Sequence, residues 1–368
     1  MKKLTKLGML LMAMVMILTA CGGGATEQAA TDVEQTEEAM TVGFIFVGPI
    51  GDGGWTFAHN EGRTYVEDEL GVNTLFKESV PEGPEVEKVI ADMVDQGAEV
   101  IVATSFGYMD YVEKMSKEYP DVKFLHCSGF KSTDNMNNYF GRMYEPRFLS
   151  GLVAGLQTES NEIGYVAAFE IPEVVRGINA FTLGVQAVNP EAEVNVRWTH
   201  TWYDPAKEKE AAKALLDDGC DVIAQHQDTA GPQQAAEERG AFAIGYNTIS
   251  EDKAPKAYLT APIWNWGGYY KSEIEKVMND EWAVENVWLG MTDGMIDIAP
   301  LTANAKPEIA EVVEAYKAKI LNGEFKVFEG VLTKQDGTLV GEEGQAFADG
   351  DLLSMSYFLN GVNGKIEN

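Results

Sequence analysis

From residue 41 onward, short apolar runs alternate with amphipathic segments, and this alternation constrains the fold more than any other feature of the chain. Strands are predicted over residues 41–47, 74–78, 99–104 and 122–127, with helices between them over residues 55–70, 84–96 and 108–119. Repeated units of a strand followed by a helix predict a parallel sheet with helices on both faces.

A second series of such units follows an apolar helix predicted over residues 144–158. Its strands are predicted over residues 163–169, 193–199, 221–225, 242–246 and 257–260, and its helices over residues 173–189 and 205–218. Beyond them we expect a long helix from residue 262 to about residue 279, and the Lys-Gln-Asp-Gly turn in "FEGVLTKQDGTLV" is typical of a hairpin. The chain is therefore predicted to be an α/β protein with two doubly wound parallel sheets.

The N-terminus has the layout of a signal peptide. Lys2, Lys3 and Lys6 precede an apolar run over residues 7–18 that is too short to span a membrane comfortably, so residues 1–20 are predicted to be removed. The sequence Leu-Thr-Ala-Cys ending at Cys21 resembles the bacterial lipobox, which implies that this cysteine receives a lipid; an ordinary secretory signal with a chance cysteine is the alternative. Residues 21–40 contain no aromatic residue and are expected to be a flexible tether.

Composition and motifs exclude several classes of function. The chain has 58 acidic and 28 basic residues, a net charge of −30 and no basic cluster, which disfavours a nucleic acid partner and is most simply a solubilising surface. Its four histidines and three cysteines show no metal-ligand spacing, and no nucleophile, Walker or zinc-protease motif is present. "GDGG" lacks the dinucleotide pattern, so neither a cofactor nor a metal is predicted. Cys127 and Cys220 are expected to be buried, and a disulfide between them is disfavoured.

Large aromatic side chains crowd the predicted strand exits, where open α/β sheets bind their ligands. They stand among Gly, Asp, Asn and Pro, whereas Trp198 stands inside a periodic element as a core residue would. Two such rings could hold a planar heterocycle between them, each contact adding about 0.5–1.5 kcal/mol beyond area burial. The candidate aromatic contacts are Trp55, Phe106, Tyr108, Trp202 and Trp264, and core packing is the alternative.

Polar groups at the same strand exits could recognise the edge of that heterocycle. The polar candidates are Asp52, Ser105, Glu170, Asp228 and Asn247. For Glu170 and Asp228, a helix-capping role is the alternative. His59 lies one turn after Trp55 on the same helical face, so we expect it to contribute a hydrogen bond or to pack there; a role as a general base is the weaker alternative.

Several segments resemble one known family. They are "GFIFVGPIGDGGWTFAHNEG", "GRMYEPRFLSGLVAG", "IPEVVRGINAFTLG", "WYDPAKEKEAA" and "TAPIWNWGGYY". On these segments the chain resembles, over nearly its whole mature length, the basic membrane protein family of ABC-transporter substrate-binding lipoproteins, which includes purine nucleoside receptors. The resemblance implies a type I periplasmic-binding-protein fold with two lobes joined by three crossovers. The N-terminal lobe is expected to comprise residues 41–160 plus 262–285, and the C-terminal lobe and tail residues 161–261 plus 286–368.

The family's motifs also suggest roles for particular residues. The first-loop pattern Asp-Lys-Ser-Phe-Asn falls on residues 52–56, which puts Trp55 beside the base, and the second-lobe Phe of the nucleoside receptors falls on Trp202. Their ribose-binding Asp falls on Asn247 and their sugar-contacting Lys falls close to Trp264. These departures remove charged ribose contacts, which favours a free base such as adenine over a nucleoside.

The resemblance thus implies an extracytoplasmic, membrane-anchored binding protein and not an enzyme. Its expected partners are a purine base or nucleoside and an ABC transporter permease, and the protein is expected to act as a monomer. Two other classes stay open: a sensory receptor that binds the same ligand, and a secreted enzyme acting on nucleosides.

Overall fold

The computed structural model describes residues 39–366. Its strands are β1 Thr41–Ile45, β2 Asn73–Lys77, β3 Ala98–Ala103, β4 Lys123–Cys127, β5 Met136–Gly141, β6 Glu162–Ala167, β7 Glu193–Trp198, β8 Val222–His226, β9 Phe242–Ile244, β10 Tyr258–Thr260, β11 Pro262–Trp264, β12 Val287–Leu289, β13 Ile296–Ile298, β14 Leu332–Thr333, β15 Leu339–Val340 and β16 Val362–Asn363. Its α-helices are α1 Trp55–Leu70, α2 Glu85–Asp95, α3 Met109–Glu118, α4 Tyr144–Gln157, α5 Pro172–Val188, α6 Pro205–Asp217, α7 Gly231–Arg239, α8 Trp266–Met278, α9 Ile309–Leu321 and α10 Asp349–Leu353.

Two six-stranded parallel sheets form the body of the protein. The first has the strand order β12-β5-β4-β3-β1-β2 and the second β10-β9-β8-β6-β7-β16. Both faces of each sheet are covered: in β1, Phe44 packs on Tyr270 of α8 with ring centroids 5.5 Å apart, while Ile45 joins Ile90 of α2 in the core on the opposite face. This explains the continuous apolar runs of the sequence and confirms the predicted α/β class.

The chain passes between the two sheets three times, as predicted. It leaves the first sheet after β5, returns from β10 through β11, and leaves again from β12 through β13. Two of these passages pair with each other, because β11 and β13 form an antiparallel ladder that joins Pro262 to Ile298 and Trp264 to Ile296. This short ladder lies between the two lobes and forms part of the hinge.

Two elements lie in different lobes from those predicted. Helix α4 packs along α5 so closely that a Cβ on Gly151 would lie 2.0 Å from the carbonyl oxygen of Phe181. Only glycine allows this backbone contact, which places α4 with the second sheet although residues 41–160 were assigned to the first lobe. Strand β12 pairs in parallel with β5 of the first sheet, although the range 286–368 assigned it to the second lobe.

The prediction also missed β5 and α7. In β5, the polar residues Asn137 and Asn138 interrupt the apolar run, yet both are buried, because the strand lies inside the sheet between β4 and β12. Helix α7 begins with Gly231 and Pro232, which are typical of a turn, and its buried residues include small alanines that give weak apolar periodicity.

The C-terminal segment completes the second sheet. The predicted hairpin is confirmed: β14 and β15 pair antiparallel, with Leu332 opposite Val340. Strand β16 then adds a sixth parallel strand beside β7. Helix α10 is fixed to the body, because Asp349 pairs with Arg142 through two hydrogen bonds of 2.7 Å.

The predicted signal peptide, Cys21 and nearly all of the tether lie outside the described residues. Among residues 39–366, no helix is both long enough and apolar enough to cross a membrane. Cys127 and Cys220 are buried and free.

Candidate ligand-binding site

A cavity lies between the lobes at the carboxyl ends of the strands. It encloses about 360 Å³ of space not occupied by atoms, part of it open to solvent. Its walls are formed by Val47, Trp55, Ser105, Phe106 and Ser128 from the first lobe and by Glu173, Trp202, His226, Asp228 and Tyr246 from the second. Aromatic rings from both lobes therefore share one gap, in the position where doubly wound sheets bind ligands.

The first-lobe wall is held by the loop after β1 and the loop after β3. The Trp55 indole Nε1 donates to the carbonyl oxygen of Thr104 at 2.8 Å, which fixes the ring at the start of α1. The Asp52 carboxylate accepts from the backbone N–H groups of Gly54, Thr56 and Phe57 at 2.8–2.9 Å, so it orders this loop and caps the helix. Asp52 thus positions Trp55 from outside the cavity wall.

The second-lobe wall presents Trp202 and Tyr246. Phe169 supports Trp202 by an edge contact, with ring centroids 5.0 Å apart and planes at 64°. The guanidinium of Arg147 lies 3.7 Å from the centre of the Tyr246 ring and, being fully buried, supports it from behind the cavity. Both rings are therefore held in place before any ligand arrives.

The lobes touch directly beside the cavity. The backbone of Gly54 lies against that of Asp228, and a Cβ on Gly54 would lie only 2.3 Å from the Asp228 carbonyl oxygen. Thr248 of the second lobe donates its hydroxyl to the carbonyl oxygen of Gly53 at 2.5 Å. This is a closed arrangement, in which the first-lobe loop forms a lid on the second lobe.

Asp228 is a buried acid in the cavity wall whose pKa is strongly shifted. Burial raises the pKa of its carboxyl well above the usual value, and the nearby carboxylates of Asp52 and Glu208 raise it further. Its hydrogen-bond partner is the Asn247 side-chain amide at 3.4 Å. The carboxyl is therefore favoured in its neutral form inside the closed site.

His226 and Glu173 form a second polar pair. The His226 Nε2 lies 3.5 Å from a Glu173 carboxylate oxygen. Burial lowers the pKa of His226 to about 4, against an opposing effect of Glu173, so the imidazole is neutral near pH 7. The site thus offers hydrogen-bonding groups without a free positive charge among the side chains that line it.

Five of the predicted contact residues lie in the cavity wall and six do not. Those in the wall are Trp55, Ser105, Phe106, Trp202 and Asp228. Those elsewhere are Asp52, His59, Tyr108, Glu170, Asn247 and Trp264.

Four of those six have structural partners that explain their positions. His59 is fully buried, with Nδ1 2.5 Å from the Tyr270 hydroxyl. Tyr108 is also buried in the core and donates to the carbonyl oxygen of Val80 at 2.6 Å. Trp264 donates to Asn247 at 3.0 Å, so that pair supports the wall from behind.

The other two are a helix cap and an ion pair. Asp52 caps α1, as described above. Glu170 is largely buried, with one carboxylate oxygen 3.5 Å from Nδ1 of His200, and is not among the residues that line the cavity.

The sequence interpretation missed five wall residues: Val47, Ser128, Glu173, His226 and Tyr246. His226 and Tyr246 lie at the ends of two strands that were predicted. The criterion that selected Trp202, a position at a strand exit, would therefore have selected them as well. Glu173 was interpreted as the start of α5, and Ser128 follows β4 with a left-handed φ of 64°. Neither position stands out by residue type.

Comparison with known proteins identifies the family. The model of the ABC transporter substrate-binding protein family described as PnrA-like matches residues 39–329. The chain belongs to this family. A purine-binding protein of Brucella abortus is 41% identical over 332 residues, which are 90% of this chain and 95% of that protein. A Haloferax volcanii protein named as an ABC transporter glucose-binding protein is 37% identical over 356 residues, covering 95% and 88% of the two chains.

A solved structure agrees on the fold. A solute-binding protein of an ABC transporter system from Aeropyrum pernix superimposes with a TM-score of 0.68 at 23% identity, over 78% of this chain and 92% of that one. Proteins of the PnrA-like family are extracytoplasmic substrate-binding components of transporters and not enzymes. The expectation of a substrate-binding protein with a periplasmic-binding-protein fold is therefore confirmed.

Proposed function

We propose that this protein binds a free purine base, adenine or a close analogue, between its lobes and delivers it to an ABC permease. One observation carries the proposal: Trp55 and Phe106 from one lobe and Trp202 from the other line the same cavity between the lobes. Aromatic rings contributed by both lobes favour a flat heterocycle, and Asp228 and Glu173 would supply hydrogen-bonding groups at its edge. The purine-binding relative at 41% identity supports the same ligand class.

One observation supports a base over a nucleoside. The family resemblance places the ribose-binding Asp on Asn247 and the sugar-contacting Lys close to Trp264; these two side chains form a hydrogen bond with each other and are both buried.

A nucleoside is the second candidate, because a wider groove adjoins the cavity. This groove shares Phe106, Ser128 and Glu173 with the cavity and continues past Trp288 and Arg176. A ribose attached to the base could extend into it. Glucose is a third candidate, since the relative at 37% identity carries that name and the wall contains serine and carboxylate groups.

Calorimetric titration separates these ligands. Residues 39–368 form a compact unit, so this chain can be titrated with adenine, hypoxanthine, guanine, adenosine, inosine and glucose. We expect adenine to bind at least about tenfold more tightly than adenosine, because a nucleoside must place its ribose outside the space between the aromatic rings. Heat from nucleosides alone, or from glucose alone, would overturn the proposal.

We further propose that Cys21 carries the lipid anchor and that the protein works as a monomer at the outer face of the cell membrane. A lipid anchor keeps the binding protein close to its permease and raises its effective concentration there. Mass spectrometry of membrane-extracted protein should show a mature chain that begins at an acylated Cys21. An unmodified chain, or a Cys21→Ala variant with unchanged membrane retention, would contradict this.

Transport and sensing differ in what happens after binding. Uptake predicts that deletion of the gene abolishes accumulation of labelled adenine by cells, whereas a sensory receptor would change a cellular response and leave accumulation unchanged.

A further inference from the structure

The carboxyl group of Asp228 differs from the nearby carboxyl groups of Asp52 and Glu208 in its hydrogen bonds. Asp52 accepts three backbone N–H groups, and Glu208 accepts the N–H groups of Asp204 and Thr229 and the Thr229 hydroxyl. Asp228 accepts one long bond, at 3.4 Å from the Asn247 amide to Oδ1, and no backbone donor. Its Oδ2 has no partner among residues 39–366, while the side chain lines the cavity with 6% of its surface exposed.

The charged groups that most affect the Asp228 carboxyl are acidic: Asp52 in the first-lobe loop, Glu208 in α6 and Glu173 in α5. In the described part of the chain, no lysine, arginine or histidine lies within ion-pair distance of the Asp228 carboxylate. A buried carboxylate without a cation or a set of N–H donors is costly, so this environment favours the neutral acid.

We propose that Asp228 recognises the ligand as a neutral carboxylic acid, donating through its O–H and accepting through its C=O. This inference rests on the proposed function and refines it. A neutral acid pairs with an edge that has one donor beside one acceptor, such as the amino group and ring nitrogen of adenine or the N–H and oxo group of hypoxanthine. An ionised carboxylate can only accept, so it would favour an edge with two donors or a cation.

Closure of the lobes contributes to this state. The backbone of Gly54 lies against the backbone of Asp228, and Asp52, two residues before Gly54 in the same first-lobe loop, raises the pKa of the Asp228 carboxyl. Asp228 is therefore more strongly protonated in the closed, ligand-bound form than in the open form. At pH values above the pKa that Asp228 has in the open form, ligand binding should therefore be accompanied by uptake of a proton from solution.

The test compares wild type with Asp228→Asn, because an asparagine amide is a donor and an acceptor at every pH and has nearly the same shape. Adenine is titrated into residues 39–368 between about pH 6 and pH 9. We expect the variant to bind within about threefold of wild type at pH 6 and to be independent of pH, while wild type weakens by about tenfold or more toward pH 9. Asp218→Asn, at an exposed ion pair with Arg197, is the matched control and should behave as wild type.

A second measurement needs no variant. Calorimetry in two buffers with different ionisation enthalpies should show proton uptake when adenine binds to wild type, but none for Asp228→Asn. The inference is overturned if Asp228→Asn folds normally but loses adenine binding by more than about tenfold while wild-type affinity is independent of pH. If wild type binds no purine base at all, the proposed function fails instead, and the recognition role falls with it.

Discussion

The tryptophans at the lobe interface belong to two groups that the sequence does not distinguish. Trp264 and Trp266 are stacked on each other at 4.3 Å and 13°, and His59 stacks on Trp266 at 4.4 Å and 14°. We call these three rings the hinge stack. Trp202, in contrast, meets Phe169 at 64° and lines the cavity.

The difference teaches that a strand exit alone does not make an aromatic residue a ligand contact. A ring is available to a ligand when one of its faces is free, and in the hinge stack the faces of Trp266 are covered by Trp264 and His59. Trp264 lies in β11, which crosses between the lobes, and Trp266 begins α8. The hinge stack therefore stabilises the connection between the lobes, whereas Trp202 forms part of the binding site.

Removing a ring from the hinge stack should have the largest effect on stability. Trp266 is 1% exposed, so Trp266→Ala is expected to lower the free energy of unfolding by about 3–5 kcal/mol. Urea denaturation measures the loss, and Trp266→Phe serves as a milder variant that retains one ring. A Trp266→Ala protein of normal stability that no longer binds ligand would place this residue in the site and break the comparison.

Removing Trp202 should act on binding instead. We expect Trp202→Ala to weaken adenine binding by about 2–4 kcal/mol, since aromatic hot spots carry effects of that order, with little change in the melting temperature. Its neighbour Tyr203 is 40% exposed and outside the cavity wall, so Tyr203→Ala is the control. Unfolding of Trp202→Ala would mean that this ring is core.

The same comparison extends to the imidazoles, because His59 belongs to the hinge stack and His226 to the cavity wall. The pKa of His226 in the folded state is lowered from 6.5 to about 4. Between about pH 6.5 and pH 4, the unfolded chain therefore binds a proton at His226 that the folded state does not bind. The stabilising effect is complete above pH 6.5 and is lost as the pH falls through about 4. His226→Gln should make the loss of unfolding free energy on acidification smaller by about 2 kcal/mol, as measured by denaturation at a series of pH values.

His200→Gln is the control for this series, since the side chain of His200 is 55% exposed. If His226→Gln leaves the pH dependence of stability unchanged, His226 is not the buried neutral group that the cavity geometry describes.

Much of the fold could be predicted because the determining interactions are local. Helix α1 begins and ends at the predicted residues, since Trp55 follows a glycine turn and Gly71 closes the helix with a left-handed φ of 66°. Strand β5 could not be found in the same way. Its buried Asn137 and Asn138 side chains are tolerated because residues outside the strand supply partners, Glu273 of α8 for the first and His126 of β4 for the second.

The site was less predictable for a related reason. Whether Trp264 faces a ligand depends on Trp266 and Asn247, which reach it only after the chain has crossed between the lobes. Periodicity along the chain places a residue at a strand exit, but it does not tell which neighbours cover its faces. Trp55 and Trp264 were therefore equivalent candidates until packing separated them.

The smallest of these effects concerns the lobe contact on which the cavity depends. A Cβ on Gly54 would clash with the Asp228 carbonyl oxygen at 2.3 Å, so Gly54→Ala should hinder closure and weaken adenine binding by about tenfold. Gly51 lies in the same loop with no atom within 4 Å of the corresponding position, so Gly51→Ala should bind like wild type. Small-angle scattering with adenine present should show a more open Gly54→Ala protein. A variant that closes and binds normally would mean that the two backbones need not touch for the rings of both lobes to hold a ligand.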